Sequence, residues 1–191
     1  MKRDMMAEVA ATLAFSTIAN NDKVGVIFFS DKIEKYIPAQ KGKTHVLHII
    51  RELLSFEPNS KGTDMAQALQ YFANAQKRHC TAFLISDFIG AGAVDKPLLI
   101  ASNRHEVNAI QIYDRREAEL PNIGLVKFHD AESDKDLWID TSLATVRDDY
   151  AQAWKQNQDS LEQLFTRTGV NHISVRTDED YVKALMHLFR C

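Results

Sequence analysis

Two short motifs in the 191-residue sequence carry hydroxyl and carboxylate groups that could bind a hard metal ion. Thr63 and Asp64 precede a helical pattern, and Asp87 lies at the end of a predicted buried strand over residues 81–88. Such oxygen atoms are the ligands that Mg²⁺ prefers. Each motif also has a purely structural explanation, with Thr63 as a helix N-cap and Asp87 as a turn residue. Spacing alone leaves both interpretations open.

Other predicted strands also end in polar residues. Ser30 and Asp31 follow the first apolar strand, and Asp114 follows a strand that ends at Tyr113. In a parallel α/β sheet, ligands bind beyond the carboxyl ends of the strands. We therefore expect a partner-binding rim formed by Ser30, Asp31, Asp64, Phe88 and Asp114. Phe88 is expected to be an exposed apolar contact at its centre, with burial in the core as the alternative.

Helical and strand patterns alternate along the chain, which predicts an α/β fold with a mostly parallel, doubly wound, Rossmann-like sheet. The segments KVGVIFFS and TAFLISDF are apolar throughout, as is typical of strands buried on both faces. We predict helices over residues 4–20, 43–56, 97–103, 142–168 and 178–189 with a further helix after residue 63, and strands over 23–30, 33–38, 81–88, 106–113, 124–129, 137–140 and 170–176.

Two parts of this pattern are antiparallel. A tight connection at Asp31-Lys32 predicts that strands 23–30 and 33–38 pair as one antiparallel edge. Residues of about 123–141 predict a β-hairpin insertion. We therefore expect a single domain over residues 1–191.

Composition narrows the classes of protein to consider. The formal net charge of −3 lacks the excess of Lys and Arg that a nucleic-acid surface requires. The two cysteines, Cys80 and Cys191, do not make a disulfide scaffold and fit a reducing compartment. The sequence contains no run of about 18 apolar residues, so it predicts no membrane span. We therefore expect a cytoplasmic protein.

Enzyme motifs are not found in the sequence. It has no Walker A loop, GxGxxG, HExxH or nucleophile elbow. The cluster from Asp114 to Glu117 could supply acid and base groups, but an internal pair of Arg116 with a carboxylate is favoured. His45 and His48, three residues apart on a predicted helix, have no third ligand nearby. The pattern favours a binding module over an enzyme.

The chain resembles a known bacterial family in six segments, which read KVGVIFFS, GTD before a helix, LISDF, RHEVNAIQIYDRREAELPNIGLVKFHD, WIDT and RTDEDYVKAL. That family is the domain-of-unknown-function family 58, a von Willebrand factor A-like group associated with MoxR-type AAA+ ATPases. In von Willebrand A domains a metal-ion-dependent adhesion site uses an Asp-x-Ser-x-Ser loop, a Thr and an Asp. By resemblance, Thr63 and Asp87 match the second and third of these elements.

The resemblance also implies what this sequence lacks. It contains no Asp-x-Ser-x-Ser loop, and the strand that precedes this loop in the family is expected between the strands at 23–30 and 81–88. We therefore expect an N-terminally truncated form of the fold, with Mg²⁺ binding at Thr63 and Asp87 that is weak or absent.

The resemblance implies a function as well. It predicts a non-enzymatic protein-binding adaptor that works with a MoxR-type AAA+ ATPase and a client protein through a partial metal-ion-dependent adhesion site. Two alternatives stay open. One is a vestigial or structural fragment without metal-dependent binding, and the other is an unrecognised hydrolase that uses the strand-end carboxylates.

Overall fold

The computed structural model describes residues 2–60, 62–90, 92–130 and 135–189. Helices and strands alternate over most of this length, as the apolar periodicities predict. The elements are α1 (Lys2–Asn20), β1 (Val24–Phe29), β2 (Ile33–Gln40), α2 (Lys43–Ser55), α3 (Met65–Ala75), β3 (Thr81–Ser86), α4 (Asp95–Ser102), β4 (Glu106–Tyr113), α5 (Arg115–Ala118), β5 (Leu125–Asp130), β6 (Lys135–Asp140), α6 (Ala144–Thr168), β7 (Asn171–Arg176) and α7 (Tyr181–Leu188).

A three-stranded parallel sheet in the order β3-β4-β7 lies at the centre of the fold. Residues 107–112 of the middle strand, β4, are all buried. Alternate β4 residues face opposite layers: Ile110 and Ile112 pack in a cluster with residues of α1 and α7, and Ala109 packs in one with residues of α3, α4 and α6. The predicted parallel sheet with helices on both faces is confirmed for these three strands.

The predicted antiparallel pair at the edge is also confirmed. β1 and β2 form a hairpin whose register includes Ile27 opposite Tyr36. A Cβ on Gly25 would lie 2.7 Å from the Ile37 carbonyl oxygen, so only glycine allows the close approach of the two backbones there. This pair packs against α2 through a separate core cluster that contains Phe28, Val46 and Ile49.

The described strands form three separate sheets, and the break between β1 and β3 lies where the sequence is expected to lack a strand. In the described residues β1 pairs only with β2, β3 pairs only with β4 on that side, and β5 and β6 form a two-stranded sheet of their own. A sheet is continuous only where neighbouring backbones exchange hydrogen bonds, and no such ladder joins β1 to β3. The two halves of the molecule are connected by helix packing instead.

The C-terminus of α6 follows its local sequence signal. α6 ends as predicted at Gly169, whose φ of 66° suits a left-handed C-cap. The one-turn helix α5 was not predicted, because four residues are too few to show helical periodicity. No helix within the described ranges is long and apolar enough to cross a bilayer.

Candidate functional site

The carboxyl ends of β3, β4 and β7 carry Asp87, Asp114 and Thr177 at one edge of the parallel sheet. The Thr177 hydroxyl donates to an Asp114 carboxylate oxygen at 3.1 Å, and the Thr177 N–H donates to the Tyr113 carbonyl. The Gln111 side chain donates to the Asp87 carbonyl at 3.4 Å. These contacts place the ends of the three strands together, as a parallel sheet requires.

Asp87 forms an ion pair that the sequence did not reveal. The Lys2 ammonium, at the start of α1, lies 2.7 Å from an Asp87 oxygen and 2.5 Å from a Glu117 oxygen. Burial alone would lower the pKa of Lys2, but hydrogen bonds and charges from Asp87 and Glu117 raise it above the ordinary value of 10.5. Lys2 therefore stays charged and joins the loops after β3 and β4.

The residue after Asp87 is anchored in the core. Phe88 is 2% exposed, and its ring lies 5.3 Å from that of Phe165 in an edge-on arrangement. The prediction that Phe88 is an exposed contact for a partner is therefore wrong. The Phe88 backbone has a φ of 57°, which residues other than glycine rarely adopt. Burial of the large apolar ring stabilises the folded state and offsets the cost of this conformation.

Hydrogen bonds fix the loop around Phe88. The Phe88 N–H donates to the Ser86 hydroxyl at 3.1 Å, and the Ile89 N–H donates to the Asp87 carboxylate at 3.2 Å. Strained backbone of this kind persists only where its surroundings hold it, and it is enriched at functional sites. Asp87 is thus held on a rigid turn with its side chain about one third exposed, at 31%.

A second group of polar residues surrounds the N-terminus of α3. The Asp64 N–H donates to the Ser30 carbonyl at 2.8 Å, which joins this loop to the end of β1. The Asp64 carboxylate accepts the Gln67 N–H at 2.9 Å, so Asp64 is the N-cap and the expected cap at Thr63 is wrong. Thr63 and Asp31 are exposed beside it.

Ser30 does not contribute to an exposed rim. The residue is buried at 4% exposure, and its hydroxyl donates to Glu34 at 2.8 Å. Glu34 also accepts the Asn59 side-chain amide at 2.7 Å. The serine therefore orders the turn between β1 and β2, and the predicted contact between Ser30 and a partner is wrong because the side chain faces inward.

Asp114 has a structural task at the start of α5. Its carboxylate accepts the Arg116 N–H at 2.9 Å, while the Glu117 carboxylate accepts the Asp114 N–H, which completes a capping box. The Arg116 N–H, followed by the Thr177 hydroxyl, holds the pKa of Asp114 below its ordinary value. The predicted ion pair with the Arg116 guanidinium is replaced by this backbone contact.

The two predicted Mg²⁺ ligands, Thr63 and Asp87, lie in different loops. Thr63 lies with the loop at α3, whereas Asp87 is neutralised by Lys2. In the described parts of the chain, no group of three or more His, Cys, Asp and Glu side chains could hold a metal ion. Mg²⁺ requires about six oxygen ligands, some of them water.

His45 and His48 have separate partners. The His45 ring nitrogen Nε2 lies 2.9 Å from the Val24 carbonyl oxygen, and His48 Nδ1 lies 3.9 Å from Glu52. One ring therefore faces the β1 backbone, while the other lies along the helix surface. Nothing in this arrangement brings the two rings together as a ligand pair.

The fold and the site together define a class of protein. It is a mixed α/β domain with acidic side chains at the carboxyl edge of a parallel sheet. The model of the family described as protein of unknown function DUF58 matches residues 1–160. The chain belongs to the DUF58 family. The resemblance to the DUF58 family noted in the sequence is thereby confirmed.

Relatives of this chain are uncharacterised proteins. An uncharacterized protein of Mycobacterium tuberculosis is 30% identical over 185 residues, which is 95% of this chain and 57% of that protein. An uncharacterized protein of Mycobacterium avium is 30% identical over 158 residues, which is 81% of this chain and 92% of that protein. The chain thus spans little more than half the length of the M. tuberculosis relative.

Two solved structures share the fold. One is described as the conserved hypothetical protein BatB from Bacteroides thetaiotaomicron, with a TM-score of 0.54 and 16% identity over 96% of this chain and 86% of that chain. The other is described as an aerotolerance-related membrane protein from Bacteroides fragilis, with a TM-score of 0.57 and 16% identity over 97% of this chain and 89% of that chain. At this identity the likeness concerns the fold alone.

Proposed function

We propose that this domain is a protein-binding module whose partner surface is the carboxyl edge of the parallel sheet. The observation that carries the proposal is the arrangement around Asp87. A carboxylate on a strained, hydrogen-bonded turn is held at the surface, and Lys2 and Glu117 extend the polar group across two neighbouring loops. Rigid placement of partly exposed charge on loops is how binding sites are commonly built on a scaffold.

The charge of this edge defines the partner's chemistry. Asp31 follows β1, and Asp64 lies in the loop before α3. Asp87 follows β3, and Glu117 lies in α5, directly after β4. Lys2 pairs with Asp87 and Glu117, and Lys32, Arg115 and Arg116 lie in the same segments, so the edge carries charges of both signs. A partner with Lys or Arg side chains opposite the carboxylates would complement this pattern, and complementary charge mainly increases the association rate and the specificity.

The contacts that the carboxylates of this edge already make support a role in binding more than one in catalysis. A general acid or base needs a carboxyl group that is available to a substrate. Asp114 caps α5 and accepts the Thr177 hydroxyl, and Asp87 and Glu117 share the Lys2 ammonium. Each group therefore already has a hydrogen-bonding partner, which weighs against the hydrolase alternative.

The finer form of the proposal names the partner. By its resemblance to von Willebrand A-like proteins, the domain would act as an adaptor for a MoxR-type AAA+ ATPase and present a client protein to it. In that form a carboxylate from the client and a metal ion would complete the group that Thr63 and Asp87 begin.

A retention experiment with purified components tests both forms. The immobilised chain is challenged with a MoxR-type ATPase from the same organism, with and without Mg²⁺-nucleotide. The test variant is Asp31→Asn with Asp87→Asn, which removes one charge from each of the two polar groups. The matched control is Asp148→Asn with Asp149→Asn, which removes two charges from exposed positions on α6.

We expect the test variant to bind about tenfold more weakly, while the α6 control binds like wild type. Equal retention of the test variant and wild type would show that this edge is not the binding surface. If the ATPase is not retained under any nucleotide condition, the adaptor form of the proposal fails, while the module could still be tested with other basic proteins.

A further inference from the structure

We propose that Cys80 and His105 form a binding site for one soft monovalent metal ion such as Cu(I), with the Cys80 sulfur and the His105 nitrogen Nδ1 as its two protein ligands. The pair lies at the amino ends of β3 and β4, whereas Asp87 and Asp114 follow the carboxyl ends of the same strands. The inference therefore does not depend on the partner surface at the carboxyl edge.

The backbone holds the two residues side by side. Cys80 directly precedes β3, and His105 directly precedes β4. Pairing of these parallel strands begins one residue later, with Thr81 opposite Glu106. The Glu106 N–H donates to the Cys80 carbonyl at 3.0 Å. The His105 N–H donates to the Ala101 carbonyl at 2.9 Å, so the spacing of the two side chains is set by the sheet and by the end of α4.

The two ligand atoms face each other. The Cys80 sulfur lies 3.6 Å from the His105 nitrogen Nδ1. Metal–sulfur and metal–nitrogen bonds of about 2.3 and 2.0 Å place the two ligand atoms of one ion roughly 3.5 to 4.3 Å apart, depending on the angle at the metal. An ion can therefore bridge this pair after the Cys80 sulfur moves by less than about 1 Å.

The His105 ring is buried in a way that points to a ligand. The side chain is 3% exposed, and its ring centre lies 4.7 Å from that of Phe72. Among the described residues its Nε2 is buried without a hydrogen-bond partner, and Nδ1 contacts only the sulfur of Cys80, a weak hydrogen-bonding group. Since buried polar groups are nearly always well hydrogen-bonded, this pairing is unusual for a purely structural histidine.

The charge of the pair selects a monovalent ion. Burial raises the pKa of the Cys80 thiol and lowers the pKa of His105, so both groups are uncharged at neutral pH. When the ion binds, the S–H bond breaks, a metal–sulfur bond forms and the proton leaves to solvent, with no change in oxidation state. This exchange leaves the site uncharged, whereas a divalent ion would leave a buried positive charge.

The number and type of ligands favour the same class of ion. In the part of the chain that the structure describes, no group of three or more His, Cys, Asp and Glu side chains could hold a metal ion, so an ion at this pair has two protein ligands. Structural zinc requires four ligands, and Mg²⁺ requires oxygen ligands. A thiolate selects soft ions such as Cu(I), which accepts as few as two ligands.

The pair can be reached from solvent on the cysteine side. Cys80 is partly exposed, and its neighbour His79 is exposed, with a ring centre 6.4 Å from that of His105. The buried His105 ring lies behind them. Cys80 is therefore the ligand that an incoming ion meets first.

A competition titration tests the proposal. Cys191, the other cysteine of the sequence, is replaced by Ser in every sample, so that Cys80 supplies the only thiol of this parent protein. Without oxygen, Cu(I) is offered to the full chain from a coloured chelator that competes for it, and the released protons are counted in weakly buffered solution. We expect one Cu(I) per chain and one proton per ion, because a thiol ligand must be deprotonated.

Variants separate the two-ligand site from an ordinary thiol. Cys80→Ser should abolish binding of Cu(I). His105→Phe keeps the ring contact with Phe72 and should weaken Cu(I) binding at least about tenfold, since it removes one of the two ligands. The matched control is His48→Phe, at a histidine that is 50% exposed on α2, and it should bind Cu(I) like the parent protein.

Nitrogen NMR of the histidine side chains gives a second measurement that needs no variant at His105. In the parent protein, one equivalent of Cu(I) should shift the Nδ1 resonance of His105 and leave those of His48 unchanged. The measurement identifies the ligand atom directly, so the proposal stays testable even where His105→Phe does not fold.

Three results would overturn the inference. The first is equal affinity for Cu(I) in the parent protein and in a folded His105→Phe variant. The second is a Cu(I) complex in which the His105 nitrogen does not shift. The third is Zn²⁺ binding as tightly as Cu(I), because the pair offers zinc only two ligands. The retention experiment at Asp31 and Asp87 uses other residues, so the two proposals can fail separately.

Discussion

Phe88 shows how a single buried ring can determine the geometry of a candidate site. The residue occupies a strained left-handed conformation directly after Asp87, and its ring packs against Phe165. The burial of the ring compensates for the strain, so the position of the Asp87 carboxylate depends on a side chain that no partner could touch.

Replacing Phe88 with Ala should therefore destabilise the fold. Truncation of a buried aromatic residue costs about 3–5 kcal/mol of the free energy of unfolding. Urea denaturation followed by circular dichroism measures the change, with Phe15→Ala as the control because Phe15 is 57% exposed on α1. A Phe88→Ala protein as stable as the control would contradict the anchoring role of this ring.

His105 links the stability of the protein to pH. It is 3% exposed, its Nδ1 lies 3.6 Å from the Cys80 sulfur, and its Nε2 is buried without a partner in the described residues. Burial, with smaller contributions from His79 and Arg104, lowers the pKa of His105 below its ordinary value of 6.5. The unfolded chain therefore binds this proton more readily than the folded one.

The sign of the pH effect follows from that difference. The stabilising contribution of neutral His105 is complete above pH 6.5 and is lost as the pH falls below that value. We expect the free energy of unfolding to decrease between pH 7 and pH 5, and His105→Phe to reduce this decrease while keeping the ring contact with Phe72. Parallel pH profiles for the variant and wild type would show that other groups cause the decrease.

At the scale of the elements, the pairing of β1 with β2 depends on a glycine. A methyl group at Gly25 would lie 2.7 Å from the Ile37 carbonyl oxygen and 2.8 Å from the Ala39 nitrogen, so the backbones would have to separate. The register of the pair already shifts between Val24 and Val26. This hairpin therefore has little room to adjust.

We expect Gly25→Ala to destabilise the protein by about 1–3 kcal/mol, the usual cost of overpacking. Hydrogen exchange should accelerate in β1 and β2 but not in β4. Gly124→Ala is a useful comparison, because a Cβ there has open space and only the φ of 81° opposes it. If both variants accelerate exchange in β1 equally, the steric explanation at Gly25 is wrong.

At the scale of the whole molecule, the two unpaired edges affect behaviour in solution. Apolar strand edges of this kind promote pairing between chains. We expect the 191-residue chain to self-associate as its concentration rises, and Ile27→Lys to reduce this tendency through the charge on β1. Sedimentation velocity measures both, and a wild-type chain that stays monomeric at high concentration would contradict the prediction.

Metal binding also belongs to this scale, since the predicted ligands Thr63 and Asp87 come from separate loops. Because one hydroxyl and one carboxylate that is already paired with Lys2 are few ligands for a strongly hydrated ion, we expect Mg²⁺ and Mn²⁺ to bind weakly to this chain. Calorimetry tests this, with Asp87→Ala as the comparison. Tight binding of one ion per chain that is lost in Asp87→Ala would show that these residues form a site by themselves.

The sequence by itself determined the local elements and the positions of the strand-end carboxylates. Buried strands such as β3 and β4, the antiparallel partner of β1 and the C-cap at Gly169 follow from apolar periodicity and glycine chemistry, which act over a few residues. Only the tertiary structure decided that Lys2 pairs with Asp87, 85 residues away, and that Phe88 faces inward. Both depend on contacts between distant segments, and no local pattern records such packing.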